Sequence, residues 1–240
     1  MFRLERNDEH ARLTLDRPQV RNAIPAAAWA ALSETLETVA RSDVRLLVVT
    51  GAGDTFCAGA DLGDFAAMRG SEEAAARFRQ EMRAALDALR ALAIPTLAAI
   101  DGHCYGAGVA LALACDVRLA RFGSKFAITP ARIGIAFPQE DVRRLVAMVG
   151  PGQAARLLFT AETIGGEEAK RIGLVDHYSH PESDVIEAIL ANDPESLRLL
   201  KQQIALAGAG VGSDPGMDRR FDTLVAGDEM ARRLEALRRK

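Results

Sequence analysis

Cysteine is scarce in this 240-residue chain, and aromatic residues make up only 5% of it, with one tryptophan and two tyrosines. Cys57, Cys104 and Cys115 are odd in number and far apart, which argues against a disulfide framework. No CxxC pair is present and the four histidines are scattered, so the ligand spacing of a zinc site is missing as well. The expected compartment is therefore reducing. The opening Met1-Phe2-Arg3-Leu4-Glu5-Arg6 carries charge where a secretory leader needs an apolar run. No stretch approaches the ~20 apolar residues of a membrane span. The longest uncharged run, Gly102 to Cys115, is too short and begins with loop residues. The expectation is a cytoplasmic protein without a membrane partner.

No charge of one sign dominates. Thirty Lys and Arg face 33 Asp and Glu, a formal net charge of -3, so nothing suggests general binding to nucleic acid. The GxxxxGK[ST] phosphate loop is absent, and Gly106-Ala107-Gly108 lacks the third glycine of a dinucleotide turn. What is present is 49% hydrophobic and 26% charged, the balance of one large globular domain or of a domain with a helical appendage.

Apolar periodicity orders the chain. Residues 11–16 alternate as a half-buried strand. Pro25 opens a helix to about Arg41, with Trp29, Leu32, Leu36 and Val39 on one face. Residues 44–50 and 96–100 read as strands buried on both sides. Ser71 starts a helix that ends before Pro95. Residues 107–116 are too small and apolar to face water and read as a buried helix. Short strands are expected at 117–121, 125–128 and 174–176. Helices are expected at 140–149, 151–159, 165–172, 183–191, 194–207 and 228–239, with a flexible link at 207–216. The first part thus alternates strands with helices, and the last part is nearly all helix.

Two segments carry the chemistry. Gly51 to Asp61 and Asp101 to Gly106 both lie between a buried strand and a helix start, where backbone N–H groups lack intrahelical partners and the helix dipole favours negative charge. One donor from each could converge on a single carbonyl oxygen as an oxyanion hole. Taken singly, each loop fits a tight turn equally well.

Phe56-Cys57-Ala58-Gly59-Ala60-Asp61-Leu62 resembles the FCAGADL segment of the crotonase family, the enoyl-CoA hydratase/isomerase superfamily. Ile100 to Gly108 with Ala114-Cys115-Asp116 resembles its second signature. Arg17-Pro18-Gln19-Val20-Arg21-Asn22-Ala23 resembles its RPxxRNA opening, and Ala169 to Val175 its AxxxGLV stretch. The resemblance runs in order over about residues 10–180. It implies an α/β fold, a spiral of ββα units over residues 1–180, followed at 181–240 by a helical region that mediates trimer contacts. Two such trimers commonly stack into a hexamer. It implies an acyl-CoA substrate, with coenzyme A entering as part of it and no permanently bound cofactor. The backbone N–H groups of Ala60 and Ala107 would form the hole. Arg21 and Ala23 would lie by the phosphopantetheine arm, with Ala58 and Leu62 along the acyl-CoA channel. Asp61 is counted with these, and its residue type also suits a helix cap.

The sequence departs from the family at the acid–base pair. Hydratases of the family use two glutamates; the matching positions here are Ala110 and Pro130, neither of which can carry a proton. Glu140, with Asp141 beside it, is the nearest replacement, and one buried glutamate with a raised pKa would suffice for a double-bond shift. Acids directly after Pro138 also suit an ordinary helix start. Three functions therefore stay open: an acyl-CoA enzyme of the hydratase/isomerase type, a catalytically silent acyl-CoA binder, or a structural oligomer with no ligand. The closing Arg238-Arg239-Lys240 reads as a charged helix end, with CoA phosphates as a second reading.

Overall fold

A long apolar strand followed by a short one and then a helix is the recurring unit of the computed structural model, which describes residues 1–238; Arg239 and Lys240 of the basic C-terminal end lie outside the described residues. The strands β1 (Phe2–Arg6) and β2 (His10–Leu15) form an antiparallel hairpin, turned by the Asn7 side chain, which accepts from the Glu9 and His10 amides at 2.9 and 2.7 Å. Helix α1 (Ala28–Ala40) starts three residues after Pro25, because residues 25–27 first close a turn in which the Ala28 amide donates to Pro25 O. Its expected apolar face is the buried one.

Strand β3 (Leu46–Gly51) leads to β4 (Thr55–Cys57), then to α2 (Leu62–Ala67) and α3 (Glu72–Ala91), whose N-cap Ser71 accepts from Ala74 N. The unit repeats with β5 (Thr96–Ile100), β6 (His103–Tyr105) and α4 (Ala107–Ala114). It continues with β7 (Val117–Ala120), β8 (Lys125–Ala127) and α5 (Gln139–Thr160), which breaks at Gly150 with φ +75°. Then follow β9 (Ile164–Gly165), α6 (Gly166–Arg171), β10 (His177–Tyr178), α7 (Glu182–Leu190), α8 (Pro194–Gly208), α9 (Pro215–Ala226) and α10 (Asp228–Arg238).

Two sheets result. One has the order β1-β2-β3-β5-β7-β10 and is parallel beyond the first hairpin. The other has the order β4-β6-β8-β9, parallel except for its last pair. From β3 to β8 the longer strand of each unit joins the first sheet and the shorter one the second, and the two-residue β10 ends the first sheet. Helix α4 is buried on every face but its first residue, as its composition predicts. The C-terminal helices are tied on by Lys201, which reaches Ile94 O at 2.8 Å and Asp116 at 2.7 Å, and by Arg45, which donates to Leu190 O at 2.7 Å.

Several local expectations change. Both glycine segments contain a three-residue strand, β4 and β6, too short to display a period but fixed by mutual pairing. The hairpin strand β1 had no distinct signal. The strand expected at 174–176 lies instead at His177–Tyr178. Leu174 and Val175 still donate back to Ala169 O, so the chain is leaving helix α6, and pairing with β7 begins only at His177 opposite Leu119. The link expected at 207–216 is shorter, since α8 runs to Gly208 and α9 already begins at Pro215, capped by Asp214.

All three cysteines are free and fully buried. Burial pushes the Cys57 and Cys115 thiols up to about 12 and raises Cys104 well above its usual value. At about pH 8 each is a neutral thiol, and the thiolate is the reactive form. A chromogenic disulfide reagent should therefore label no thiol in the native protein and all three in guanidinium.

Candidate active site

The first loop leaves β4 at Cys57 and passes through Gly59, whose φ of +109° is open only to glycine. The next residue, Ala60, forms a parallel bridge with Ile24. Ile24 N donates to Gly59 O at 2.8 Å, and Asp61 N donates to Ile24 O at 2.9 Å. These bonds use the groups on either side of Ala60. By the alternation of extended backbone its own N–H points the other way, and among the described residues it has no partner.

The RPxxRNA stretch fixes that loop. Buried Asn22, held at φ +56°, donates to Thr55 O at 2.6 Å and Ala52 O at 2.9 Å and accepts from Arg17 N at 2.9 Å. Arg17 in turn donates to Ala23 O at 3.0 Å and stands 3.4 Å from Asp61. Asp61 caps α2, accepting from Gly63 N at 3.1 Å. Arg21 O receives the Ala58 amide at 2.9 Å, while the Arg21 side chain is exposed and forms no ion pair among the described residues. Arg17 and Asn22 were not singled out from sequence as site residues. The signal for Asn22 was its tolerance of the left-handed conformation directly after an Arg-Pro turn.

The second loop ends at Gly106, with φ 51° and ψ -116°, and α4 begins at Ala107. Gly106 O accepts from Val109 and Ala110, so the amides of Ala107 and Gly108 are the unpaired first donors of the helix. The two loops touch. A Cβ on Gly59 would sit 3.5 Å from Ala107 N, and one on Gly108 would sit 2.7 Å from Cys57 O.

One cavity of about 120 Å³ is lined by both Ala60 and Ala107. Ala58, Gly59 and Leu62 line it from the first loop, and Phe65, Phe78 and Met82 from α2 and α3. Thr129, Pro130, Ile133 and residues 135–138 line the remainder. Thr129 is the only lining residue with a polar side chain, and no lining residue is titratable. Pro130 is on this wall, while Ala110 is fully buried behind it.

Glu140 does not line the cavity. Its side chain is 42% exposed and receives the Arg143 guanidinium at 3.0 Å, a bond that lowers its pKa rather than raising it. The buried acid is its neighbour Asp141, raised by burial and bonded to Arg83 at 2.8 Å. Arg144 stands 3.8 Å from the same oxygen and donates to Asp87 at 2.7 Å. This cluster joins α3 to α5 behind the cavity wall. The structure thus brings Ala58, Ala60, Leu62 and Ala107 together, with Arg21, Ala23 and Asp61 adjacent in the tied loops, and leaves Glu140 outside. Among the described residues no group of His, Cys, Asp or Glu could hold a metal ion.

A family model for enoyl-CoA hydratase/isomerase matches residues 5–205. The chain is 33% identical over 224 residues to the crotonyl-CoA hydratase of Syntrophomonas wolfei, covering 90% of this chain and 84% of that one. It is 32% identical over 247 residues to an enoyl-CoA isomerase/hydratase of Mycosarcoma maydis, covering 95% and 89%. A crystal structure of an enoyl-CoA hydratase/carnithine racemase from Magnetospirillum magneticum superposes with a TM-score of 0.92 at 28% identity, over 99% of this chain and 92% of that one.

The contact between α4 and β4 leaves no room for a methyl group. Gly108→Ala should lower the unfolding free energy by about 1–3 kcal/mol, the usual cost of overpacking, read from the denaturant midpoint at unchanged m-value.

Proposed function

As the chain belongs to the enoyl-CoA hydratase/isomerase family, whose fold of ββα units it shares, we propose that it is an acyl-CoA enzyme that holds its substrate's thioester oxygen between the N–H groups of Ala60 and Ala107. The observation that supports this reading is that neither amide has a hydrogen-bond partner among the described residues and that Ala60 and Ala107 both line one apolar cavity. A thioester carbonyl gains negative charge whenever its α-carbon is deprotonated or its β-carbon is attacked. Fixed donors in a water-poor site stabilise that charge, at about 2.7–4 kcal/mol for each donor. Ala107 adds the positive end of α4.

Coenzyme A would run along the first loop, with Arg21 and Ala23 at the phosphopantetheine arm and Ala58, Asp61 and Leu62 beside the thioester. The unpaired Arg21 guanidinium supports this, because a phosphate can recruit it without breaking an existing ion pair.

The proton carrier is the unfilled part. Neither Ala110 nor Pro130 can serve, and Glu140 is held as an exposed carboxylate by Arg143. A second reading, binding of acyl-CoA without turnover, is favoured by the lack of any titratable side chain on the cavity wall. We also infer that the unit at 181–240 serves self-association as a homotrimer or a dimer of trimers. Leu200, Ile204, Phe221, Val225 and Leu237 are large apolar residues left between 48% and 71% exposed on α8, α9 and α10.

Turnover by the parent protein separates the two readings, and Ala107→Pro tests the proposed hole. Proline is tolerated at the first helical position but has no N–H. With 2-enoyl- and 3-enoyl-CoA substrates followed by mass spectrometry, this variant should lose about 10²–10³-fold in kcat at unchanged Tm, and Glu140→Ala should retain activity. Binding of the esters by the parent protein with no product formed would leave only the second reading. Light scattering should give a mass three or six times the 25.7 kDa of one chain; a monomer would contradict the assembly.

A further inference from the structure

We infer that Phe78 is a gate that limits the acyl chain this protein accepts. The inference rests on the proposed acyl-CoA site and goes beyond it, because it names the residue that sets substrate length.

The cavity lined by Ala60 and Ala107 measures only about 120 Å³. Pockets that enclose a drug-sized ligand measure roughly 300–1,000 Å³, so this space takes a short acyl group. A separate open groove of about 520 Å³ lies along the adjacent face of α3. Phe78 is the single residue that lines both. Its ring meets Phe65 edge-on, with centroids 5.4 Å apart and planes at 73°, a favoured aromatic geometry that holds it in place. Met82, one helical turn further along α3, continues the same wall and is buried.

The groove is lined by Ala26, Ala27, Met68 and Ala74 beside Phe78, and by the polar Ser71, Glu73, Arg77 and Glu81. A straight acyl chain that begins at the thioester fills the small cavity within a few carbons. Its next methylenes meet the Phe78 ring, and beyond that ring lies the open, partly charged groove. The discrimination is therefore steric. Every methylene that cannot be buried loses the transfer free energy its shorter homologue gained, and in addition the ring must be displaced.

Calorimetric titration with acetyl-, butyryl-, octanoyl- and dodecanoyl-CoA tests this on the full chain, since saturated esters bind without reacting at the double bond. The parent protein should bind butyryl-CoA more tightly than acetyl-CoA and lose affinity at octanoyl-CoA. Phe78→Ala should bind octanoyl- and dodecanoyl-CoA at least about tenfold more tightly than the parent, with acetyl-CoA changed by less than about twofold. Should the alanine variant fail to fold, Phe78→Leu and Phe78→Trp carry the same test, and octanoyl-CoA affinity should fall in the order Leu, Phe, Trp. Equal octanoyl-CoA affinity across the variants, with butyryl-CoA binding intact, overturns the gate and leaves the acyl-CoA reading standing. Absence of binding by any ester to the parent protein overturns both.

Discussion

Helix α4 lies so close to strand β4 that only glycine fits at the contact. A methyl group at Gly108 would be driven into the Cys57 carbonyl, and one at Gly59 would crowd Tyr105 O at 3.1 Å. This approach of two backbones brings the end of the first loop and the start of the helix onto one wall. It also explains why α4 is made of small apolar residues. A helix buried on all sides within a two-sheet core has no polar face to present, and its stability comes from packing. The unpaired amide of Ala107 follows from helix geometry, and that of Ala60 from the bridge to Ile24. Both donors therefore exist before any substrate arrives and need no side chain to create them.

The surrounding residues serve this backbone arrangement. Asn22 ties the loop at 17–23 to the turn before β4 and to the first residue of β4, and Arg17 ties the same loop to the cap of α2. On the far side, Asp141, Arg83, Arg144 and Asp87 hold α3 against α5, the two helices whose starts and faces shape the cavity. Buried charges of this kind add little net stability, because desolvation offsets their attraction, but removing one partner is costly. Their effect here is geometric: they fix the distance between Met82 on α3 and Pro138 at the start of α5, both on the cavity wall. The apolar wall in turn strengthens whatever electrostatic interaction the two amides make.

Much of this was legible in the sequence, for stated physical reasons. Strands β2, β3 and β5 and helices α1 and α3 follow from periodicity and caps, and buried α4 from its lack of any polar face. The pairing of the two glycine loops, and the family, followed from the ordered motifs at residues 17–23, 56–62, 100–116 and 169–175. Illegible were features set by distant partners. The strands β4 and β6 are three residues long and exist because they pair with each other. The strand β10 is placed by its register against β7. Glu140 illustrates the same limit: sequence placed it near the pocket loop, but the side a first-turn acid faces depends on its neighbours. Arg143 draws it outward while Arg83 draws Asp141 in. The wall formed by Phe65, Phe78 and Phe137 likewise joins residues from three segments with no shared pattern.

On the proposed reading the site separates two functions: stabilisation of charge on the thioester oxygen falls to main-chain amides, whereas no titratable side chain for proton transfer lines the cavity. The most direct measurement of the first is isotope-edited infrared spectroscopy of butyryl-CoA carrying ¹³C at the thioester carbonyl. Two fixed N–H donors polarise the bond, so its stretching frequency in the complex should lie below that of the free ester in water. A frequency equal to or above that of the free ester, in a complex shown to be saturated, would contradict the two-amide site.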